Sequence, residues 1–222
     1  MEAEEPPSPA PRRGAGHSVQ LSIKRAIDVA VAGVALVVLS PLMLVISALI
    51  LATMGPPILF RHRRLGLHGR EFTLLKFRTM RGHPPPADRP LDDEARLTPA
   101  GRLLRSLTLD ELPELVNVLR GELSLVGPRP LLPEYRALYS PEQWRRHEMP
   151  PGMAGPAVAL GRNALTWDQK LAADVAYVEQ WSLWLDAKVL ALSVWRVLRR
   201  EGVSAEGQAP MPRFQGPGDG PP

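Results

Sequence analysis

Between Ser106 and Pro130 the chain reads SLTLDELPELVNVLRGELSLVGPRP, which gathers residue types suited to phosphoryl chemistry. Asp110 and Glu111 are adjacent carboxylates. Thr108 with Glu111 fits an S/T-x-x-E capping box, and Pro113 is tolerated within a first turn, so the pair is expected at a helix start. The positive end of that helix would favour ionised carboxylates. The helix is expected to run through Leu115, Val116, Val118 and Leu119 and to stop at Gly121. After the apolar run Leu123, Leu125, Val126 comes Gly127-Pro128-Arg129-Pro130. Its prolines fix the backbone around Arg129, whose planar fork suits a phosphate. Two readings stand side by side. One is a capped helix with an acidic first turn; the other is a nucleophile, a metal ligand and an anion clamp for phosphoryl transfer.

The bulk composition narrows the setting. A chain of 222 residues holds one core of ordinary size, or a small domain with appendages. Its formal charge of +4 suits an anionic partner such as acidic headgroups or phosphorylated small molecules. Without cysteine there are no disulfides or thiolate metal sites, and the five histidines show no zinc-ligand spacing. A nucleic-acid-binding module finds no recognised motif here and few aromatics for stacking.

What must position the acidic pair begins with an unusual segment. From Val29 to Met54 there is no charged residue. As a straight helix the segment would reach roughly 39 Å, more than the ~30 Å of hydrocarbon a spanning helix crosses. It is too long for a signal peptide. Lys24 and Arg25 flank it before, and Arg61, Arg63, Arg64, Arg70, Lys76, Arg78 and Arg81 after, which is awkward for one crossing because cationic residues prefer the cytoplasmic side. Ser40-Pro41 lies near the midpoint. Pro41 lacks an N–H and crowds the Val37 carbonyl, and the Ser40 hydroxyl is placed to satisfy a freed carbonyl one turn back. A helix that enters, breaks at Ser40-Pro41 and leaves by the same face accounts for both features; a kinked spanning helix is the plainer alternative.

The remainder reads as a mixed α+β fold, mostly helical. Residues 58–80 predict two short strands joined near Gly66–Gly69. Arg61 to Arg64 suit lipid headgroups, while Lys76 and Arg78 at i and i+2 are open to an anionic ligand. Gly82–Asp92 is a proline-rich loop, and Arg96–Leu107 a short basic helix starting near Thr98-Pro99. Tyr135–His147 reads as a helix interrupted at Pro141, Trp167–Gln180 as a helix, and Ser182–Arg200 as another. The last carries tryptophan beside basic residues, as amphipathic interfacial helices do, or packs as a core helix. The expected organisation is a disordered tail 1–18, a membrane helix 19–57, a catalytic domain 58–206 and a flexible tail 207–222.

The order of motifs carries more than any one alone: KFRTM (76–80), LTPAGRLLRSLTLDELPEL (97–115), LSLVGPRPLLPEY (123–135), GRNALTW (161–167) and SLWLDAK (182–188), behind an apolar segment with a central Ser-Pro. Over about residues 19–216 the chain resembles the bacterial monotopic phosphoglycosyl transferases, in the small form made of the catalytic domain alone. The resemblance implies an enzyme at the cytoplasmic face of the bacterial inner membrane. It would move a sugar-1-phosphate from a nucleotide diphosphate sugar, usually a UDP-sugar, to undecaprenyl phosphate, releasing UMP. It further implies that Asp110 forms a covalent phosphosugar intermediate in a ping-pong course. Glu111, with Asp110 beside it, would hold Mg²⁺. Arg129 would clamp a phosphate, Lys76, Arg105 and Arg162 would make phosphate or nucleotide contacts, and Asp186 would lie near the site. A homodimer is left open.

One stretch departs from the family pattern, which runs close to RPGITGWAQVNGRN. Here Pro150–Asn163 reads PPGMAGPAVALGRN, so Pro150, Pro156, Val158 and Leu160 replace an arginine, a tryptophan, a glutamine and an asparagine. The change is expected to alter which sugar or base is accepted, or to weaken activity. A non-catalytic membrane adaptor of the same fold is the alternative it raises.

Overall fold

The computed structural model describes residues 15–82, 96–158, 165–199 and 214–218. Arg162 and most of the proline-rich loop at 82–92 lie outside the described residues. The first element, α1 (Ala15–Met54), takes in the whole apolar segment, with Pro41 in its interior. The backbone is helical on both sides of Pro41, so the interruption expected there is not a gap. The Val37 carbonyl, which a proline four residues on cannot serve, accepts from the Ser40 hydroxyl at 2.8 Å. By length and composition α1 is able to cross a membrane, with a mean hydropathy of 2.8 in its most apolar window.

One stripe of α1 packs inward along its length. Leu21, Lys24, Asp28, Ala32, Leu36, Leu39, Met43, Ile46, Ile50 and Met54 recur every three or four residues and are buried or partly buried. The other faces are exposed and apolar: Val37 is 74% and Leu44 71% exposed. That surface suits lipid rather than water.

The predicted hairpin forms from β1 (Leu59–Leu65) and β2 (Glu71–Phe77), antiparallel with Phe60 opposite Lys76 and Arg64 opposite Phe72. Next come α2 (Pro99–Ser106) and α3 (Glu114–Arg120). In α2 the Thr98 hydroxyl caps the helix by accepting from the Gly101 N–H at 2.9 Å. In α3 Gly121 takes φ +80° to close the helix. Two strands not anticipated follow: β3 (Ser124–Val126) pairs in parallel with β4 (Gly152–Ala154). Between them the expected interrupted helix is reduced to 3₁₀ turns around α4 (Pro141–Trp144). The chain continues with α5 (Trp167–Gln180), bounded as predicted and opened by a capping box of Thr166 and Gln169. It then enters α6 (Leu183–Leu198), whose Trp184 and Trp195 are exposed.

The larger core joins the first half of α1 to the rest, with Ala32, Leu36 and Leu39 against Leu74, Val118, Leu123, Tyr177 and Val189. A second core packs Met43, Ile46, Ile50 and Met54 against Phe77, Leu104, Leu109 and Leu112. A third seats Phe214 among Tyr135, Leu171 and Trp167. Within the stretch expected to be a loose tail, Phe214 is therefore buried, and the Gly218 N–H bonds to Asp168 at 3.1 Å.

Candidate active site

Leu109 and Leu112, packed against the second half of α1, bracket Asp110 and Glu111. The acidic pair thus sits beside the apolar helix. The capping box expected at Thr108 does not form. Thr108 is left-handed, φ +58°, with no side-chain cap bond, and its N–H closes α2 on the Arg105 carbonyl at 3.1 Å. Asp110 and Glu111 occupy a 3₁₀ turn, and α3 begins later, at Glu114. Glu111 cannot reach back as a cap because its carboxylate is engaged elsewhere. Its Oε1 accepts from Lys76 Nζ and from Arg129 Nη2, both at 2.6 Å.

The two neighbours therefore differ electrostatically. Burial pushes Glu111 up, but Arg129 and Lys76 outweigh it and hold the carboxyl well below the usual range. Asp110 is buried and in no ion pair among the described residues. Burial raises its pKa, opposed by the charges of Lys76 and Arg105. The helix-end field expected to favour its ionised form is outweighed, since no regular helix starts there and desolvation dominates. A third acid joins the group. Glu114 is buried, 3.2 Å from Lys76 Nζ, and is pushed up to about 7 by burial and then by the charge of Glu111.

Each cation is positioned by its element. Lys76 projects from β2, which is fixed to α3 by the buried Asn117. Its Oδ1 accepts from Leu75 N–H at 3.0 Å, and its Nδ2 donates to Thr73 O at 2.8 Å. Arg129 is held through its backbone. The Gly127 N–H bonds Ala154 O and the Gly152 N–H bonds Pro128 O, each at 3.0 Å. These backbones meet so closely that a Cβ on Gly152 would come 2.0 Å from the Gly127 nitrogen. The Arg129 carbonyl accepts from Arg146 Nη2 at 2.6 Å, and Arg146 is fixed in turn by Asp174 at 2.6 Å, in a fully buried pair. Arg105 donates to Thr79 Oγ1 at 3.0 Å from an exposed position.

Two anticipated residues point elsewhere. Arg78 caps the end of α1 by donating to the carbonyls of Met54, Gly55 and Pro56, so it does not join Lys76 at a ligand. Asp186 accepts from Lys24 Nζ on Oδ2 and from the Tyr177 hydroxyl on Oδ1, both at 2.6 Å. The structure thus brings Lys76, Asp110, Glu111 and Arg129 together, with Arg105 at the edge. Glu114, Asn117, Arg146 and Asp174 are supporting residues that the sequence did not single out. Among the described residues no three metal-ligating side chains converge. Mg²⁺ commonly takes one or two carboxylates and completes its shell with substrate phosphates and water. Asp110 and Glu111, which uses only Oε1 in its bonds to Lys76 and Arg129, fit that donor set.

The bacterial sugar transferase family model matches residues 19–200. The chain belongs to the bacterial sugar transferase family. It is 47% identical over 197 residues to an uncharacterized sugar transferase, EpsL, of Bacillus subtilis, covering 89% of this chain and 98% of that one. It is 37% identical to the exopolysaccharide production protein ExoY of Rhizobium meliloti, over 81% of this chain and 87% of the relative. A Caulobacter vibrioides relative, 39% identical over 77% of this chain and 68% of its own length, is a UDP-glucose:undecaprenyl-phosphate glucose-1-phosphate transferase. As a sugar transferase, the chain keeps its acidic pair and its Gly-Pro-Arg-Pro loop in one cluster, and Pro156 and Val158 form a 3₁₀ turn. Leu160 lies outside the described residues.

Proposed function

We propose that this sugar transferase moves a sugar-1-phosphate from a nucleotide diphosphate sugar, with UDP as the favoured nucleotide, to a polyprenyl phosphate. The observation that carries the reading is the unequal treatment of adjacent acids: Glu111 is neutralised by two cations, while Asp110 is buried, in no ion pair among the described residues, and within the field of Lys76 and Arg105. An unpaired carboxylate out of water is a competent nucleophile. An Asp110 oxygen attacks the phosphorus that bears the sugar, and the bond from that phosphorus to the nucleotide phosphate breaks. UMP leaves, and the sugar phosphate remains as an acyl phosphate. An oxygen of the lipid phosphate then attacks the same phosphorus and frees the Asp110 carboxylate. Lys76 and Arg129 stabilise charge on the equatorial oxygens. Mg²⁺, held by Glu111 with Asp110, would supply charge neutralisation of the diphosphate.

The membrane reading that goes with this is a re-entrant helix at the cytoplasmic face of the inner membrane. It is supported by the bonding of both ends of α1 to one polar body. Near one end, Arg25 donates to the carbonyls of Val118 and Leu119, and Asp28 accepts from Ser124 and Leu125; at the other, Arg78 caps Met54. A lipid phosphate at that boundary and a soluble nucleotide sugar would then both reach Asp110.

Incubation with a panel of UDP-sugars, followed by intact-mass and peptide analysis, tests the chemistry. A phosphosugar adduct on the peptide containing Asp110, discharged by polyprenyl phosphate, is expected. UMP release without an adduct on that residue, under quenching that preserves acyl phosphates, would overturn the two-step course.

A further inference from the structure

The basic residues of β1 do not all face the same surroundings. Residues opposite one another in an antiparallel pair share a face, as do those two apart. Phe60, His62 and Arg64 therefore lie on the face that carries Lys76 to Glu111 and Glu114. Arg61 and Arg63 lie on the other face and are exposed. At the end of β1 the Leu65 N–H bonds to the Leu131 carbonyl at 2.9 Å, which draws Arg64 against the segment that carries Arg129.

Arg64 is partly buried there and poorly matched by its own protein. Its one hydrogen bond among the described residues runs from Nη2 to His62 Nδ1 at 3.1 Å. A guanidinium can only donate, so Nδ1 is the acceptor and the ring proton sits on Nε2. The ring is accordingly neutral: burial, then the Arg64 charge, lowers His62 to about 4. Among the described residues Arg64 Nε is buried without a partner, and no carboxylate lies within ion-pair distance. Burial and then the charge of Arg129 depress the Arg64 pKa, opposed by the more weakly felt charges of Glu114 and Glu134. An arginine withdrawn from water beside a second arginine, with donors left over, is costly unless an anion completes it.

We propose that Arg64, oriented by His62, and Arg129 form an anion subsite on the hairpin side of the Glu111 cluster, and that it takes a phosphate group. The chemistry recognised is a phosphate monoester or one phosphate of a diphosphate. That phosphate belongs either to the soluble nucleotide or to the lipid acceptor; this choice alone rests on the transfer reading given above. Among the described residues Arg129 bonds Glu111 through one nitrogen only, which leaves its other donors for such a ligand. Arg64 then adds a second guanidinium.

The test compares wild type, Arg64→Gln, Arg64→Lys and the opposite-face control Arg61→Gln, as full chains in a neutral detergent. Calorimetry with UMP, UDP, inorganic phosphate and uridine forms one arm. The KM for polyprenyl phosphate, against kcat, forms the other. Loss of a charge-assisted pair predicts a roughly tenfold or greater weakening for Arg64→Gln, with uridine and Arg61→Gln unaffected. Arg64→Lys should recover part of the loss, because it restores charge but not the fork. Weakened UMP and UDP binding assigns the subsite to the nucleotide. A raised lipid KM with nucleotide binding intact assigns it to the acceptor. Unchanged values in both arms, in folded Arg64→Gln, would overturn the subsite. Should Arg64→Gln fail to fold, protection of Arg64 in the wild type from an arginine-selective dicarbonyl decides: protection by UMP or phosphate supports the subsite, and none overturns it. The binding arm needs no turnover, so Asp110→Asn carried alongside separates failure of the subsite from failure of the proposed chemistry.

Discussion

Asp110 and Asp186 are both acids withdrawn from water, but their surroundings differ in kind. Around Asp186 each group is satisfied. Lys24 serves one carboxylate oxygen and the Val126 carbonyl, and Tyr177 serves the other oxygen. One helical turn along, Asp28 accepts from the Ser124 hydroxyl at 2.7 Å and the Leu125 N–H at 3.1 Å. That region fastens α1 to β3 and α6. Around Asp110 the matching is incomplete. Glu111 takes both Lys76 and Arg129, Glu114 shares only Lys76, Asp110 has no ion pair among the described residues, and Glu114 is pushed up to about 7 by its burial and by Glu111. Saturated networks rigidify; unsaturated ones cost stability and persist where chemistry uses them. The contrast separates a structural fastener from a reactive centre within one small fold.

The sharpest way to break that contrast is to neutralise each acid in turn. Asp110→Asn should lower UMP release by about a thousandfold or more, as loss of a covalent nucleophile does. Its melting temperature should stay level or rise, because an unpaired buried carboxylate is replaced by a neutral amide. An Asp110→Asn protein that keeps more than about a tenth of its activity would remove the reactive centre from that residue. Lys24→Met should do the reverse. It leaves Asp186 without its cation, and breaking a buried pair from one side costs about 3–5 kcal/mol. Chemical denaturation in detergent should show the loss, while activity per folded molecule changes little. A stable but inactive Lys24→Met would move Asp186 into the chemistry.

Glu114 gives a pH-dependent comparison. Its folded pKa of about 7 lies above the ordinary 4.5. The stabilisation linked to its proton is therefore full below pH 4.5 and lost as pH rises through 7. Glu114→Gln keeps a neutral side chain at every pH. Relative to that variant, wild type should lose stability between pH 5 and pH 8, by at most on the order of 3 kcal/mol. Parallel stability curves for the two proteins would mean that Glu114 ionises normally, sheltered by Lys76. Asp186→Asn, measured the same way, supplies the contrast at the saturated cluster.

How much of this was legible beforehand follows from the range of the interactions. α5 was bounded correctly because its signals are local: Thr166 and Gln169 cap its start within one turn. Thr98-Pro99 marked α2 for the same reason. The apolar run of α1 and the strand pair within residues 58–80 were equally plain. β3 and β4 were not. Each has three residues, and they pair across more than twenty positions, which leaves no periodicity to find. Thr108 shows the opposite failure. Its local signal was sound, but the chain reverses there to close α2, and Glu111 is drawn away by Lys76 and Arg129. Nothing local to the two predicted helical segments singles out Arg146 or Asp174. Only tertiary packing makes them the buried pair that holds the Arg129 carbonyl.

The smallest expected effect lies at the middle of α1, and it asks whether the fastening extends into the apolar helix. Pro41 removes the N–H that the Val37 carbonyl would use, and the Ser40 hydroxyl replaces it at 2.8 Å on an exposed face. In water a freed carbonyl on such a face would be hydrated, and Ser40→Ala would be nearly silent. In lipid no solvent partner is at hand, and one such bond is worth about 0.6–2 kcal/mol. Ser40→Ala should therefore lower unfolding stability by about 1 kcal/mol in bilayer nanodiscs, with little change in catalysis. The same substitution in a detergent that lets water reach the helix should have a smaller effect. Equal effects in the two media would place Ser40 in water rather than in lipid, and with it the midpoint of the helix that carries Lys24 and Asp28.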